Sequence, residues 1–197
     1  MKRHFVIAME CEAEAVRPAL REGDVMTVSG VGKVNAAAAA QKAIDAGADI
    51  VINAGVCGGL DADMEVGDAY AVKSAVEYDF DLAAINGTCV GQKNERNSPY
   101  IPVSRSVDLP LRVLATGDRF NDDEDDFVLL KKLECSLRDM EGAAIADVCD
   151  KNGVPCLMVK SVSDVHGRGS MTGQYAVNLK TALKSLGATM IKHQSEY

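Results

Sequence analysis

Apolar residues in this chain fall into short, nearly unbroken blocks at positions 5–8, 25–28, 49–53, 112–115 and 155–162. Each block has strand length, and residues 66–75 take on strand character after Gly67. Between them lie stretches with helical composition at 12–20, 33–46, 127–133, 140–152 and 176–192. The Ala-rich run of 33–46 has high helix propensity and stops at Gly47, a usual helix terminator. Residues 86–102 are polar and rich in Asn, Gly and Pro, which predicts a long loop. Several strand blocks are apolar at consecutive positions, so both of their faces must be covered. That predicts an α/β fold with helices on both sides of a sheet.

In such folds ligands gather at the carboxyl ends of strands. Four polar or Gly-rich segments follow strand blocks: Gly30-Val31-Gly32, Gly55-Val56-Cys57-Gly58-Gly59, Thr116-Gly117-Asp118 and Ser163-Asp164. The first is no phosphate loop, because Val34 stands where Ser or Thr is needed; Asn35 likewise breaks the dinucleotide fingerprint. What remains are two tight turns that let backbone approach a ligand. Glu10 and Glu12 follow the first strand, where a solvated helix start competes with a role over the sheet edge. Asp139 suits a helix cap, whereas Glu141, next to Gly142-Ala143-Ala144, is a charge beside closely packed backbone and needs a partner. Lys160 interrupts the last strand and needs a carboxylate or a ligand. Unaided, these residues reach an α/β enzyme that works with carboxylates.

Composition narrows the classes. A formal net charge of −8 argues against a broad nucleic-acid interface and gives no attraction to anionic membranes. No apolar run approaches the ~20 residues of a membrane span, and Glu10 and Glu12 cut the first apolar stretch too short for a signal peptide. A single cytoplasmic domain over residues 1–197 is expected. The six cysteines contain no C-x-x-C pair or zinc array, so they read as small, buried, reduced thiols. The acidic run 122–126 lacks the Gly and closing Glu of a calcium loop and reads as a solvated loop or helix start. His166 alone is weak ground for a mechanism.

Seven segments in order resemble the purine nucleoside phosphorylase/nucleosidase superfamily, and most of all the 5′-methylthioadenosine/S-adenosylhomocysteine nucleosidases. They are Ala8-Met9-Glu10-Cys11-Glu12, Ser29-Gly30-Val31-Gly32-Lys33-Val34, Asn53-Ala54-Gly55-Val56-Cys57-Gly58-Gly59-Leu60, Val66-Gly67-Asp68, Thr116-Gly117-Asp118-Arg119-Phe120, Asp139-Met140-Glu141-Gly142-Ala143-Ala144-Ile145-Ala146 and Val162-Ser163-Asp164. The resemblance implies a three-layer αβα sandwich around a central mixed β-sheet. It implies that Glu12 activates water, that Glu141 grips the ribose hydroxyls with Met140 under the sugar, and that Asp164, oriented by Ser163, protonates the purine near N7. Phe120 would stack on the base, with Val56 and Gly58 lining the site. The implied partner is a small purine nucleoside, with no cofactor or metal, in a homodimer whose second subunit completes the 5′ pocket.

The resemblance also separates hydrolase from phosphorylase. Hexameric phosphorylases of the superfamily hold phosphate with an Arg and a Ser around the glycine segment; here Asn53 and Val56 stand at those positions. Water is the expected nucleophile. A phosphate-dependent phosphorylase and a nucleoside-binding homologue without catalysis are the competing readings. The chain departs from the pattern in having Lys160 for the usual Arg, Asp139 for the usual Glu, Val56 for the usual Ser, and a shortened segment before Val25.

Overall fold

The computed structural model describes all 197 residues, Met1–Tyr197. Eight strands form one sheet: β1 Arg3–Ile7, β2 Val25–Val28, β3 Ile50–Gly59, β4 Ala69–Glu77, β5 Ile101–Pro102, β6 Leu111–Thr116, β7 Leu137–Asp139 and β8 Cys156–Val165. The helices are α1 Glu10–Val16, α2 Lys33–Asp45, α3 Ala83–Asn86, α4 Glu124–Lys132, α5 Gly142–Asn152 and α6 Met171–Lys192.

The sheet is mixed. β2, β1, β3 and β8 run parallel, as do β4, β6 and β7, while β3–β7 and β4–β8 pair antiparallel. These pairings close a ring, β3–β8–β4–β6–β7 and back to β3. β3 is its seam: its first half borders β1, and its last residues, Gly58 and Gly59, border β7.

Every residue of β1 and β8 is buried: the apolar blocks Phe5–Ile7 and Leu157–Val159 and, with them, the polar Arg3, His4, Lys160, Ser161, Ser163 and Asp164, which must find partners inside the fold. One helical layer comprises α2 and α5, whose alanines Ala36, Ala40, Ala143 and Ala146 pack in a core with Val51, Leu114 and Met158. On the other side, Ala13 and Val16 of α1 and Leu186 and Met190 of α6 pack against Phe5, Ile7 and Ile52. At Gly187 a Cβ would stand 2.6 Å from the Ala15 carbonyl, so the glycine sets how closely α6 approaches α1. No helix is long and apolar enough to cross a membrane.

Several expectations are corrected. The segment Gly55–Gly59 is not a turn; β3 runs straight through it with a bulge between Cys57 and Gly58. None of its glycines has a positive φ, so their value lies in missing side chains rather than in backbone freedom. The first helix begins two residues earlier and breaks at Pro18 into a short 3₁₀ turn, Arg17–Ala19. The last helix begins at Met171, capped by the Ser170 hydroxyl accepting from Gly173 N–H, five residues before the expected start. The acidic run is a helix start, one of the two readings expected for it: it supplies the cap and first turn of α4, which therefore begins three residues before the expected 127. The long loop holds the short β5, which pairs with β4. All six cysteines are free, but Cys89 is exposed and Cys11 only half-buried, contrary to the expectation of buried thiols.

Candidate active site

Gly30 and Gly32 turn the chain from β2 into α2 with φ of +84° and +99°, a conformation that favours glycine. This turn exposes backbone amides. Gly32 N–H donates to Glu141 Oε1 at 2.8 Å, and Lys33 N–H donates to Asp118 Oδ1 at 2.8 Å. Gly32 N–H is thus the partner that the packing around Glu141 called for. Burial, followed by the neighbouring charge of Asp139, pushes the Glu141 carboxyl up to about 7 against the opposing pull of Lys160.

Glu12 lies in the first turn of α1 and is buried. Its Oε1 accepts from Val56 N–H at 2.8 Å and its Oε2 from Met9 N–H at 3.1 Å. A Cβ at Gly55 would stand 2.7 Å from Oε1, so this glycine makes the space that the carboxylate fills. Burial raises the Glu12 carboxyl, while the Lys160 charge and the two amides favour its ionised form.

Asp164 belongs to β8. Its Oδ1 accepts from the Ser163 hydroxyl at 2.7 Å, and that hydroxyl also lies 3.2 Å from the Cys57 carbonyl. Its buried Oδ2 has no hydrogen-bond partner. A Cβ at Gly58 would approach Oδ2 to 2.9 Å. Burial pushes this carboxyl above the ordinary aspartate value, opposed by the Ser163 hydrogen bond and the Arg138 charge.

These three acids share one cavity of about 250 Å³. Met140, Phe120, Ser163, Val56 and Gly58 line it as well, so every residue predicted for the site is brought together there. The lining also holds Ala8, Met9, Val31, Cys57 and Asp139, which lie in the segments that carry the resemblance but were not assigned to the site, and Arg138 and Tyr175, which lie outside them. Tyr175 stands on the first turns of α6, edge-on to Phe120 with ring centroids 5.7 Å apart. The capping residue Ser170 was the signal that could have placed it. Lys160 meets its need for a carboxylate in Asp139, whose Oδ2 also accepts from Gly142 N–H at 2.9 Å. His166 stacks on Phe127 with centroids 3.5 Å apart and does not line the cavity. No group of three or more His, Cys, Asp or Glu is placed to hold a metal ion.

The family model described as the phosphorylase superfamily matches residues 21–189. The chain is 33% identical over 177 residues to a 5′-methylthioadenosine/S-adenosylhomocysteine nucleosidase of Anoxybacillus flavithermus, covering 82% of this chain and 76% of the relative. It is 30% identical over 156 residues to an aminodeoxyfutalosine nucleosidase of Campylobacter jejuni, covering 73% of this chain and 68% of the relative. Among solved structures, a 5′-methylthioadenosine/S-adenosylhomocysteine nucleosidase from Neisseria meningitidis in complex with methylthio-immucillin-A superposes with a TM-score of 0.83. It is 25% identical, with 99% of this chain and 98% of that chain covered.

Proposed function

The chain belongs to the phosphorylase superfamily, and from that premise we propose that it hydrolyses the N-glycosidic bond of a purine nucleoside such as 5′-methylthioadenosine or S-adenosylhomocysteine, releasing adenine. Cleavage of a purine nucleoside is the activity that its relatives support. The observation that carries the reading is the buried, unpartnered Oδ2 of Asp164 in the same cavity as Glu12 and Glu141.

Breaking the bond leaves an oxocarbenium-like sugar and an electron pair on the base. A protonated Asp164 gives its proton toward purine N7, which lowers the barrier; burial favours the protonated form that this requires. Glu12, held by two amides, takes a proton from the water that attacks the sugar. Glu141 accepts from the ribose hydroxyls, Met140 lies under the sugar, and Phe120 stacks on the purine.

Water rather than phosphate is the nucleophile in this reading. Asn53 Nδ2 is spent on the Val6 carbonyl inside the sheet, and the Val56 amide is spent on Glu12. Assaying base release with and without phosphate tests the reading, since strict dependence on phosphate overturns it. The names of the relatives leave two kinds of 5′ group open. A panel of methylthioadenosine, S-adenosylhomocysteine, adenosine, inosine and futalosine-type nucleosides resolves which is taken. Val31 and Phe120 are part-exposed at the cavity, and Val34, one turn along, is 81% exposed. A second copy covering this face forms the homodimer that we include in the proposal, and sedimentation tests it.

A further inference from the structure

Gly58 of β3 sits in register with Arg138 on β7 to one side and with Asp164 on β8 to the other. Residues opposite one another on adjacent strands point to the same face, with strands ~4.8 Å apart. Arg138 and Asp164 therefore face the same cavity across a residue that has no side chain to separate them.

Arg138 is buried and always charged, so it needs acceptors. The nearest acidic oxygen, Asp126 Oδ2, is 3.8 Å away. The close acceptors come from the loop between β6 and α4. Nη1 donates to the Asn121 carbonyl at 3.1 Å, and Nη2 donates to the Arg119 carbonyl at 2.9 Å and to Asn121 Oδ1 at 2.8 Å. These contacts bracket Phe120. The guanidinium also lies over the Tyr78 and Phe127 rings, at 5.3 and 5.8 Å from their centroids.

We infer that Arg138 is a positioning residue for the purine end of the cavity: it ties the Phe120 loop to β7 and holds a positive charge across Gly58 from Asp164. The inference rests on the nucleosidase reading for the role of Asp164, but not for the tether. The other groups that act on Asp164 are Ser163 beside it on β8 and Asp122 in the loop before α4. The Asp164 charge is felt in turn by Cys57, next to Gly58 on β3, and by Tyr175 of α6, which lines the same cavity. Arg138 is the only cation among them, and its charge favours the ionised aspartate.

The test compares Arg138→Met and Arg138→Lys with the unaltered chain. Arg138→Met loses both functions: KM rises roughly tenfold, on the scale of one charge-assisted hydrogen bond, and the alkaline limb of kcat/KM moves to higher pH. Arg138→Lys keeps the charge and loses the fork, so KM rises while the limb stays in place. A limb that does not move in Arg138→Met, with KM within about twofold of the unaltered chain, overturns the inference. If Arg138→Met does not fold, Asn121→Ala removes one acceptor and must raise KM without moving the limb; an unchanged KM there overturns the tether. Adenine affinity by calorimetry and amide hydrogen exchange across residues 118–122 read the tether without catalysis. Weaker adenine binding and faster exchange in Arg138→Lys support it, and unchanged values overturn it. An unaltered chain that releases no base from any nucleoside refutes the nucleosidase reading instead, and the binding and exchange results then decide the tether alone.

Discussion

The ammonium of Lys160 lies 2.8 Å from Oδ2 of Asp139, and each side chain is only 2% exposed. Both residues depart from the family pattern that the sequence resembles, Lys for Arg and Asp for Glu, and they meet in a single ion pair. Asp139 is further tied by the Thr116 hydroxyl at 2.6 Å and by Gly142 N–H. Burial alone would neutralise Lys160; Asp139, Glu141 and Glu12 together raise it above the ordinary lysine value and keep it charged. Lys160 thus supplies the positive charge that two of the three cavity acids, Glu12 and Glu141, share, while Asp139 opposes it at both.

Removing one partner strands a buried charge. Lys160→Met is expected to cost about 3–5 kcal/mol, read as a lower urea midpoint. The double variant Lys160→Met/Asp139→Asn should cost less than Lys160→Met alone, because no charge is left unpaired. Costs that simply add would sink the pairing. With Lys160 gone, Glu12 and Glu141 both ionise at higher pH, so the acid limb of kcat/KM, to which both contribute, should shift upward in any variant that still folds.

Asp164→Asn should retain the fold and lose roughly 10²–10⁴-fold in turnover, the usual contribution of a placed acid. Glu12→Gln should lose turnover on the same scale while still binding nucleoside, as calorimetry would show. Near-unaltered base release by Asp164→Asn would refute its assignment as the acid.

Much of this was legible in the sequence. Buried strands announce themselves as unbroken apolar blocks, and the resemblance carried every lining residue assigned from it. The misses have physical causes. The glycines of 55–59 look like a turn because glycine is usually needed for its φ; here it is needed for its missing Cβ, beside Glu12 at Gly55 and Asp164 at Gly58. Tyr175 was hidden because Gly173 obscures the first turn of α6. Arg138 gave no local signal, since its acceptors come from the loop at Arg119 and Asn121, 17 or more positions earlier in the chain.

Glu141 should leave two pH signatures of opposite sense. Folding moves its carboxyl from the ordinary 4.5 to about 7. Between those values the unfolded chain has released a proton that the folded chain keeps, so its stabilising contribution is full below the window and declines as pH rises through it. Urea midpoints at about pH 5 and about pH 8 should show this decline, and Glu141→Gln should flatten it. Nucleoside binding runs the other way, because only the carboxylate accepts from both ribose hydroxyls; KM should fall as pH rises through about 7. A KM indifferent to pH in that range would remove Glu141 from the sugar.

The glycines of β3 offer the sharpest test of how the acids are placed. Gly55→Ala and Gly58→Ala meet no φ restriction, so the new methyl group costs little in backbone strain. It instead collides with a catalytic candidate: Glu12 Oε1 at 2.7 Å in the first case, Asp164 Oδ2 at 2.9 Å in the second. At Gly58 the methyl also crowds Met171 Cε at 3.3 Å, so relief comes most readily by rotating the Asp164 carboxyl away from Ser163. Displacing a reacting group by about 1 Å can cost on the order of 10²-fold in rate. Each variant is therefore expected to lose about that much in kcat with a change in melting temperature of only a few degrees. Gly58→Ala should also lose the alkaline limb that belongs to Asp164, and Gly55→Ala the acid limb that belongs to Glu12. A Gly58→Ala enzyme with unaltered kcat would show that Asp164 does not act from the position it holds beside β3.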